Sequence, residues 1–196
     1  MMDVAASGGY YLAMAADSIL VHPSTVTGSI GVIMLTVNAR GLLEKVGVEA
    51  NAITSGPRKD MGSPFRVMTA EERGIFQSVI DSFYHRFLDV VQEGRPNLSP
   101  DQIKKLADGR IYSGDQAKAA GLIDEIGYLD DAIEMAKKKA GLTEARVVTY
   151  GRGGEYQNNI YSRLFGTSSG ITGLANLDLL SMVRGGTPQF MYLWMP

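Results

Sequence analysis

Val4-Ala5-Ala6-Ser7-Gly8-Gly9-Tyr10-Tyr11-Leu12-Ala13-Met14-Ala15-Ala16 runs from a short apolar segment through a serine-glycine-glycine turn into an alanine-rich stretch. The apolar segment reads as the end of a buried strand. The turn then leads into a helix with Ser7 near its N-terminus. A strand passing at once into a helix places the chain in the α/β class. The strand has nothing before it to pair with, so an N-terminal part is expected to be missing.

Working outward, Ile19-Leu20-Val21 reads as a buried strand stopped by Pro23, and Thr27-Gly28-Ser29-Ile30-Gly31-Val32-Ile33 as a small-residue turn opening another strand. Leu42, Leu43 and Val46 mark a brief helix ended by Gly47, and Glu49 to Ile53 a strand. Ser55 to Pro64, with its glycines and prolines, is an irregular loop. From Thr69 to Glu93 the pair Thr69/Glu72 forms a capping box, and Phe76, Val79, Ile80, Phe83, Phe87, Val90 and Val91 recur with helical period. Gly94 is expected to end that helix.

Ser99-Pro100 starts a helix that turns Ile103, Leu106 and Ala107 inward, and Arg110 to Tyr112 is an extended link. Ser113 caps a helix closed by Gly121, and Tyr128 to Ala140 is an amphipathic helix. Its last turn holds Lys137, Lys138 and Lys139, which suit the negative end of a helix dipole and read as a solvated face. Val147 to Thr149 is expected as a last strand. Residues 1–150 thus read as one N-terminally incomplete domain, and 151–196 as a linker followed by an apolar tail. Ile171 to Val183 and a strand at Phe190 to Trp194 carry that tail's apolar character. It is expected to pack on the domain or a neighbouring subunit, with membrane contact as the lesser reading.

Of 196 residues 45% are hydrophobic and 20% charged, the mix of a foldable chain. The formal charge of -2, with no basic cluster, argues against a nucleic-acid partner. Without cysteine there is neither a thiolate nucleophile nor a thiolate metal site, and two isolated histidines do not make a zinc set. No stretch near the N-terminus has the length or the basic flank of a signal or membrane-spanning segment.

The chemistry therefore rests on other side chains. Ser7, between a strand and a helix start, stands where backbone N–H groups can stabilise an oxyanion, and Gly8 and Gly9 leave room for a substrate backbone. It also suits a plain helix cap, and the local pattern leaves both readings open. A nucleophilic serine needs a base. His22, at a strand end, and His85, outside the apolar stripe of its helix, have the look of structural or solvent-facing residues. Lys59, inside Ser55-Gly56-Pro57-Arg58-Lys59-Asp60, is the remaining candidate. An ordinary lysine titrates near pH 10.4, and about two to three units of lowering by burial would be needed for a base. The alternative is a surface lysine paired with Asp60.

Ala5-Ala6-Ser7-Gly8-Gly9-Tyr10-Tyr11, Thr27-Gly28-Ser29-Ile30-Gly31-Val32, Ser55-Gly56 with Lys59-Asp60 and Ser63-Pro64, Gly94-Arg95, Asp108-Gly109-Arg110 and Gly121-Leu122-Ile123-Asp124-Glu125-Ile126-Gly127 occur in this order. Across roughly residues 1–140 the series resembles the signal peptide peptidase A family of serine-lysine membrane peptidases. The resemblance implies a ClpP/crotonase-like fold of stacked ββα units and a ring-shaped homo-oligomer. It also implies hydrolysis of remnant signal peptides on the outer side of the cytoplasmic membrane. Position by position, it implies that Ser7 is the nucleophile, Lys59 the general base and Ser29 the hydroxyl that orients the lysine. Gly8 N–H would be the oxyanion donor, with Gly9 and Gly31 beside the substrate. Neither metal nor organic cofactor is implied.

The family's N-terminal membrane anchor, and the glycine-rich segment that supplies a second oxyanion donor, have no counterpart in this sequence. Loss of one such donor costs about a hundredfold in rate. A rival with the same site is a viral-type serine-lysine peptidase that matures capsid or scaffold proteins. A crotonase-like acyl-CoA enzyme lacks support, because no carboxylate pair follows a glycine-rich oxyanion turn. A catalytically silent assembly module is at odds with Ser7, Ser29 and Lys59 occurring together.

Overall fold

A computed structural model describes residues 1–148 and the backbone of Phe190–Met191. The first elements follow the opening motif: strand β1 (Val4–Ala6), helix α1 (Gly8–Ala13), strands β2 (Leu20–Val21) and β3 (Val26–Gly28). Next come β4 (Ile33–Met34), α2 (Arg40–Lys45) and the long helix α3 (Ala70–Gly94). Then α4 (Pro100–Leu106), β5 (Ile111–Ser113), α5 (Gly114–Ala119), β6 (Glu125–Ile126), α6 (Leu129–Ala140) and β7 (Phe190–Met191) complete the described order. Helices and strands are mixed along the chain, consistent with the α/β expectation.

Three helices start on local capping chemistry. Thr69 accepts from the Glu72 N–H while the Glu72 carboxylate accepts from the Thr69 N–H at 2.8 Å, and Ser99/Gln102 and Ser113/Gln116 repeat the arrangement at α4 and α5. Each cap satisfies donors that have no intrahelical partner.

Strand β3 is the centre of a three-stranded sheet, parallel to β1 with Ala6 opposite Gly28, and antiparallel to β5 with Gly28 opposite Ile111. β2 and β6 form a parallel pair, and β4 pairs antiparallel with β7. The core gathers Tyr10 and Met14 of the first helical segment, Phe87 and Val91 of α3, Ile103, Tyr112 and Leu122. Phe87 meets Tyr11 edge-on with ring centroids 5.2 Å apart. Below them, the Tyr10 hydroxyl and Arg95 Nε both donate to the Leu122 carbonyl at 2.8 Å. Arg95 also contacts Asp124, whose carboxylate accepts from the Ile19 N–H. This network ties α1, the end of α3 and the segment before β6.

Several expectations are corrected. Glu49–Ile53 is not a strand: the segment is exposed and unpaired, because no neighbouring edge meets it among the described residues. Val147 and Val148 are likewise exposed outside any strand, while Thr149 lies beyond the described residues. Thr27-Gly28 belongs to β3 rather than to the following turn, because its register with β5 extends the sheet by two residues. The alanine-rich helix stops at Ala13, Gly94 lies inside α3 with Arg95 as its C-cap, and Phe83 is exposed rather than inward. The expected strand at Phe190 to Trp194 is described only at Phe190–Met191. The linker and the Ile171–Val183 stretch lie outside the described residues.

The chain divides into two units, Met1–Glu134 with Gly186–Pro196, and Met135–Gly185. Every candidate site residue lies in the first. No helix among the described residues is long and apolar enough to cross a membrane.

Candidate active site

Ser7 stands between β1 and α1 with φ 52° and ψ −111°, a left-handed conformation that a non-glycine residue rarely adopts. It is almost fully buried, and its hydroxyl makes no capping bond to α1. The plain-cap reading of Ser7 therefore fails. The hydroxyl is not occupied with the helix, although the residue sits at the N-cap position. Its backbone is fixed on both sides: the Ser7 N–H donates to the Gly28 carbonyl at 2.7 Å, and its carbonyl accepts from the Tyr11 N–H at 2.9 Å. Gly8 is half-buried and Gly9 exposed just after it.

Register brings Ser29 alongside. Because β1 and β3 run parallel with Ala6 opposite Gly28, the residues that follow, Ser7 and Ser29, leave neighbouring strand ends together. Ser29 shares the unusual backbone, with φ 51°, and its N–H donates to the Arg110 carbonyl at 2.8 Å. Gly28 has to be glycine here: its φ is +80°, and a Cβ would stand 2.5 Å from Tyr112 Cδ2. Gly31 faces Gly109, with 3.6 Å between an added Cβ and the Gly109 Cα. The Asp108-Gly109-Arg110 turn therefore supports the Ser29 loop from behind, a role the sequence motif alone did not assign.

Lys59 lies in the turn after α2, exposed, with its N–H donating to the Gly56 carbonyl at 3.2 Å. It forms no ion pair among the described residues, and no hydrogen bond joins it to Ser7 or Ser29. The pairing with Asp60 considered for it is absent, because Asp60 is taken by Arg66. The guanidinium of Arg66 grips both Asp60 oxygens, at 2.7 and 2.8 Å, and both oxygens of Glu72, one of them at 2.9 Å. Arg66 holds the Asp60 carboxyl below its ordinary value and that of Glu72 down to about 2, where the Thr69 N–H assists. A second link joins Arg58 to Glu71. An open hollow of about 510 Å³ lies beside this turn, lined by Ala50, Asn51, Ala52, Asp60, Ser63, Phe65 and Arg66.

Sequence reasoning missed Arg66. Its signal was an arginine three residues before a capping threonine, with acids on both sides. Among the described residues no group of three or more His, Asp or Glu side chains could hold a metal ion.

A model of peptidase family S49 matches residues 1–143, the segment that holds Ser7, Ser29 and Lys59. The chain belongs to peptidase family S49. Among S49-like relatives, a protein of Enterococcus faecium provisionally named signal peptide peptidase SppA is 47% identical over 148 residues, covering 76% of this chain and 43% of its own. The serine protease SPPA, chloroplastic, of Arabidopsis thaliana is 34% identical over 191 residues, covering 94% of this chain and 28% of its own. Protease 4 of Salmonella typhi is 35% identical over 144 residues, covering 74% of this chain and 23% of its own. The chain thus spans less than half the length of each of these relatives.

Proposed function

We propose that this S49 chain carries the catalytic part of a serine peptidase in which Ser7 is the nucleophile and Lys59 the general base. The observation that carries the reading is Ser7 itself. It is buried and strained, and its hydroxyl is not spent on the helix it precedes. Strain of this kind costs about 1–3 kcal/mol and is typical of functional positions.

In the proposed mechanism the neutral amine of Lys59 takes the Ser7 proton while Oγ attacks the scissile carbonyl. The oxyanion forms beside the first N–H groups of α1, with Gly8 N–H as donor. The tetrahedral intermediate collapses to an acyl-enzyme as the C–N bond breaks and the Lys59 ammonium gives its proton to the departing amine, the new N-terminus. Lys59, neutral again, then takes a proton from water, which attacks the ester to free the acid, and the proton returns to Ser7. Ser29 offers a hydroxyl to hold the lysine lone pair in line. Lys59 is exposed in the single chain, so the burial that a lysine base needs is supplied by the bound peptide or by a neighbouring copy. The finer readings rest on the family: a ClpP/crotonase-like arrangement, a ring of subunits, apolar signal peptides as substrates, and a membrane location outside the cytoplasm.

Hydrolysis of an apolar fluorogenic peptide between about pH 6 and 10 tests the reading. The account expects activity that rises along a basic limb and falls by about a hundredfold or more in both Ser7→Ala and Lys59→Ala. Activity that survives Ser7→Ala would overturn it.

A further inference from the structure

We propose that Arg66 is a positioning residue that holds the Lys59 turn against the start of α3; the proposal rests on the serine-lysine reading. Lys59 has no side-chain anchor of its own among the described residues, and the loop around it is made of turns rather than of a paired element. Its immediate neighbour Asp60 is the anchor. The Asp60 carboxylate receives the Nε/Nη2 edge of Arg66, and the Nη1/Nη2 edge receives the Glu72 carboxylate. The remaining Nη1 proton reaches the Val67 carbonyl at 3.3 Å. Two planar forks on one guanidinium fix both distance and angle, which lysine, a point charge, does not reproduce.

Glu72 is the stable end of this clamp. It is buried, it completes the capping box with Thr69, and α3 anchors it to the core through Phe87 and Val91. Asp60 is the movable end, one residue from the candidate base. The clamp therefore converts the rigidity of a long helix into the position of one lysine. The arrangement spans the turn and the helix, and Arg66 is the only group that bonds to both acids among the described residues.

The test uses the whole chain and the variants Arg66→Ala, Arg66→Lys, Asp60→Asn and Glu72→Gln, the last of which keeps a capping side chain at that position. Amide hydrogen exchange is followed by mass spectrometry over residues 56–66 and over α3. In parallel, the rate at which Ser7 reacts with a phosphonate ester probe is measured from pH 6 to 10.

In Arg66→Ala and Asp60→Asn, exchange over 56–66 is expected to rise about tenfold or more while α3 keeps its protection. The Ser7 reaction is expected to slow by a similar factor, with its half-maximal pH displaced, and Arg66→Lys should not restore either. Unchanged exchange over 56–66 in both variants would overturn the clamp. Faster exchange with an unaltered Ser7 pH profile would overturn its role in positioning. Lys59→Ala with wild-type Ser7 reactivity would instead refute the base assignment, and the exchange data would still judge the clamp.

Discussion

At the scale of the residue, Ser7 and Ser29 share one feature: both are non-glycine residues with φ near +50°, at the ends of adjacent parallel strands. The hydrogen bonds on either side of Ser7 hold that geometry, and it stores strain of about 1–3 kcal/mol. The strain gives a direct prediction. Ser7→Ala keeps the Cβ and therefore the strain, whereas Ser7→Gly removes both. Ser7→Gly is expected to be more stable than Ser7→Ala by about 1–2 kcal/mol in urea unfolding, with both inactive. Equal stability of the two would show that the backbone at Ser7 is not strained. The position of Ser7 between strand and helix was legible in the sequence. Its conformation was not, because a serine before two glycines is as good a cap as a nucleophile, and neither the positive φ nor the missing cap bond is written in the local pattern.

At the scale of the element, legibility followed the range of the forces. α3, α4 and α5 were readable because their starts rest on side-chain-to-backbone bonds three residues apart, which are written in the sequence. The strands were less readable. β2, β3 and β5 are two or three residues long, and their existence depends on partners distant in the chain, such as Leu20 opposite Glu125. Glu49–Ile53 shows the converse: strand-like composition without a partner leaves an exposed segment. Phe83 follows the helical period, yet its side chain remains exposed on α3 rather than buried with Phe76, Phe87 and Val91. The Arg66 clamp joins a loop to a helix across six residues on either side, and only the fold shows that one side chain reaches both acids.

At the scale of the whole molecule, the core and the site share a support. Tyr10, three residues after Ser7, is fully buried and bonded to the Leu122 carbonyl, next to Arg95 and Asp124. Burial pushes its phenol up to about 12, against a partial counter-pull from Arg95. The neutral phenol is thus the form the folded state favours. The contribution is fully present below about pH 10, where both states are protonated. It is lost as pH rises from about 10 to 12, because the unfolded chain ionises first. Unfolding free energy is expected to fall by about 2–3 kcal/mol across that range. Tyr10→Phe should flatten much of the fall, although Tyr84 and Tyr112 are pushed the same way. A Tyr10→Phe protein with the wild-type alkaline decline would contradict this account of the core.

The central claim is that Ser7 is the nucleophile, and covalent capture tests it most directly. The whole chain is treated with a phosphonate ester probe at about pH 8, digested with trypsin, and the N-terminal peptide ending at Arg40 is fragmented to place the label. The account predicts a single adduct on Ser7 that is absent in Ser7→Ala, and that forms about a hundredfold or more slowly in Lys59→Ala. An adduct on Ser18, Ser24 or Ser29 instead, or labelling of the peptide that persists in Ser7→Ala, would contradict it.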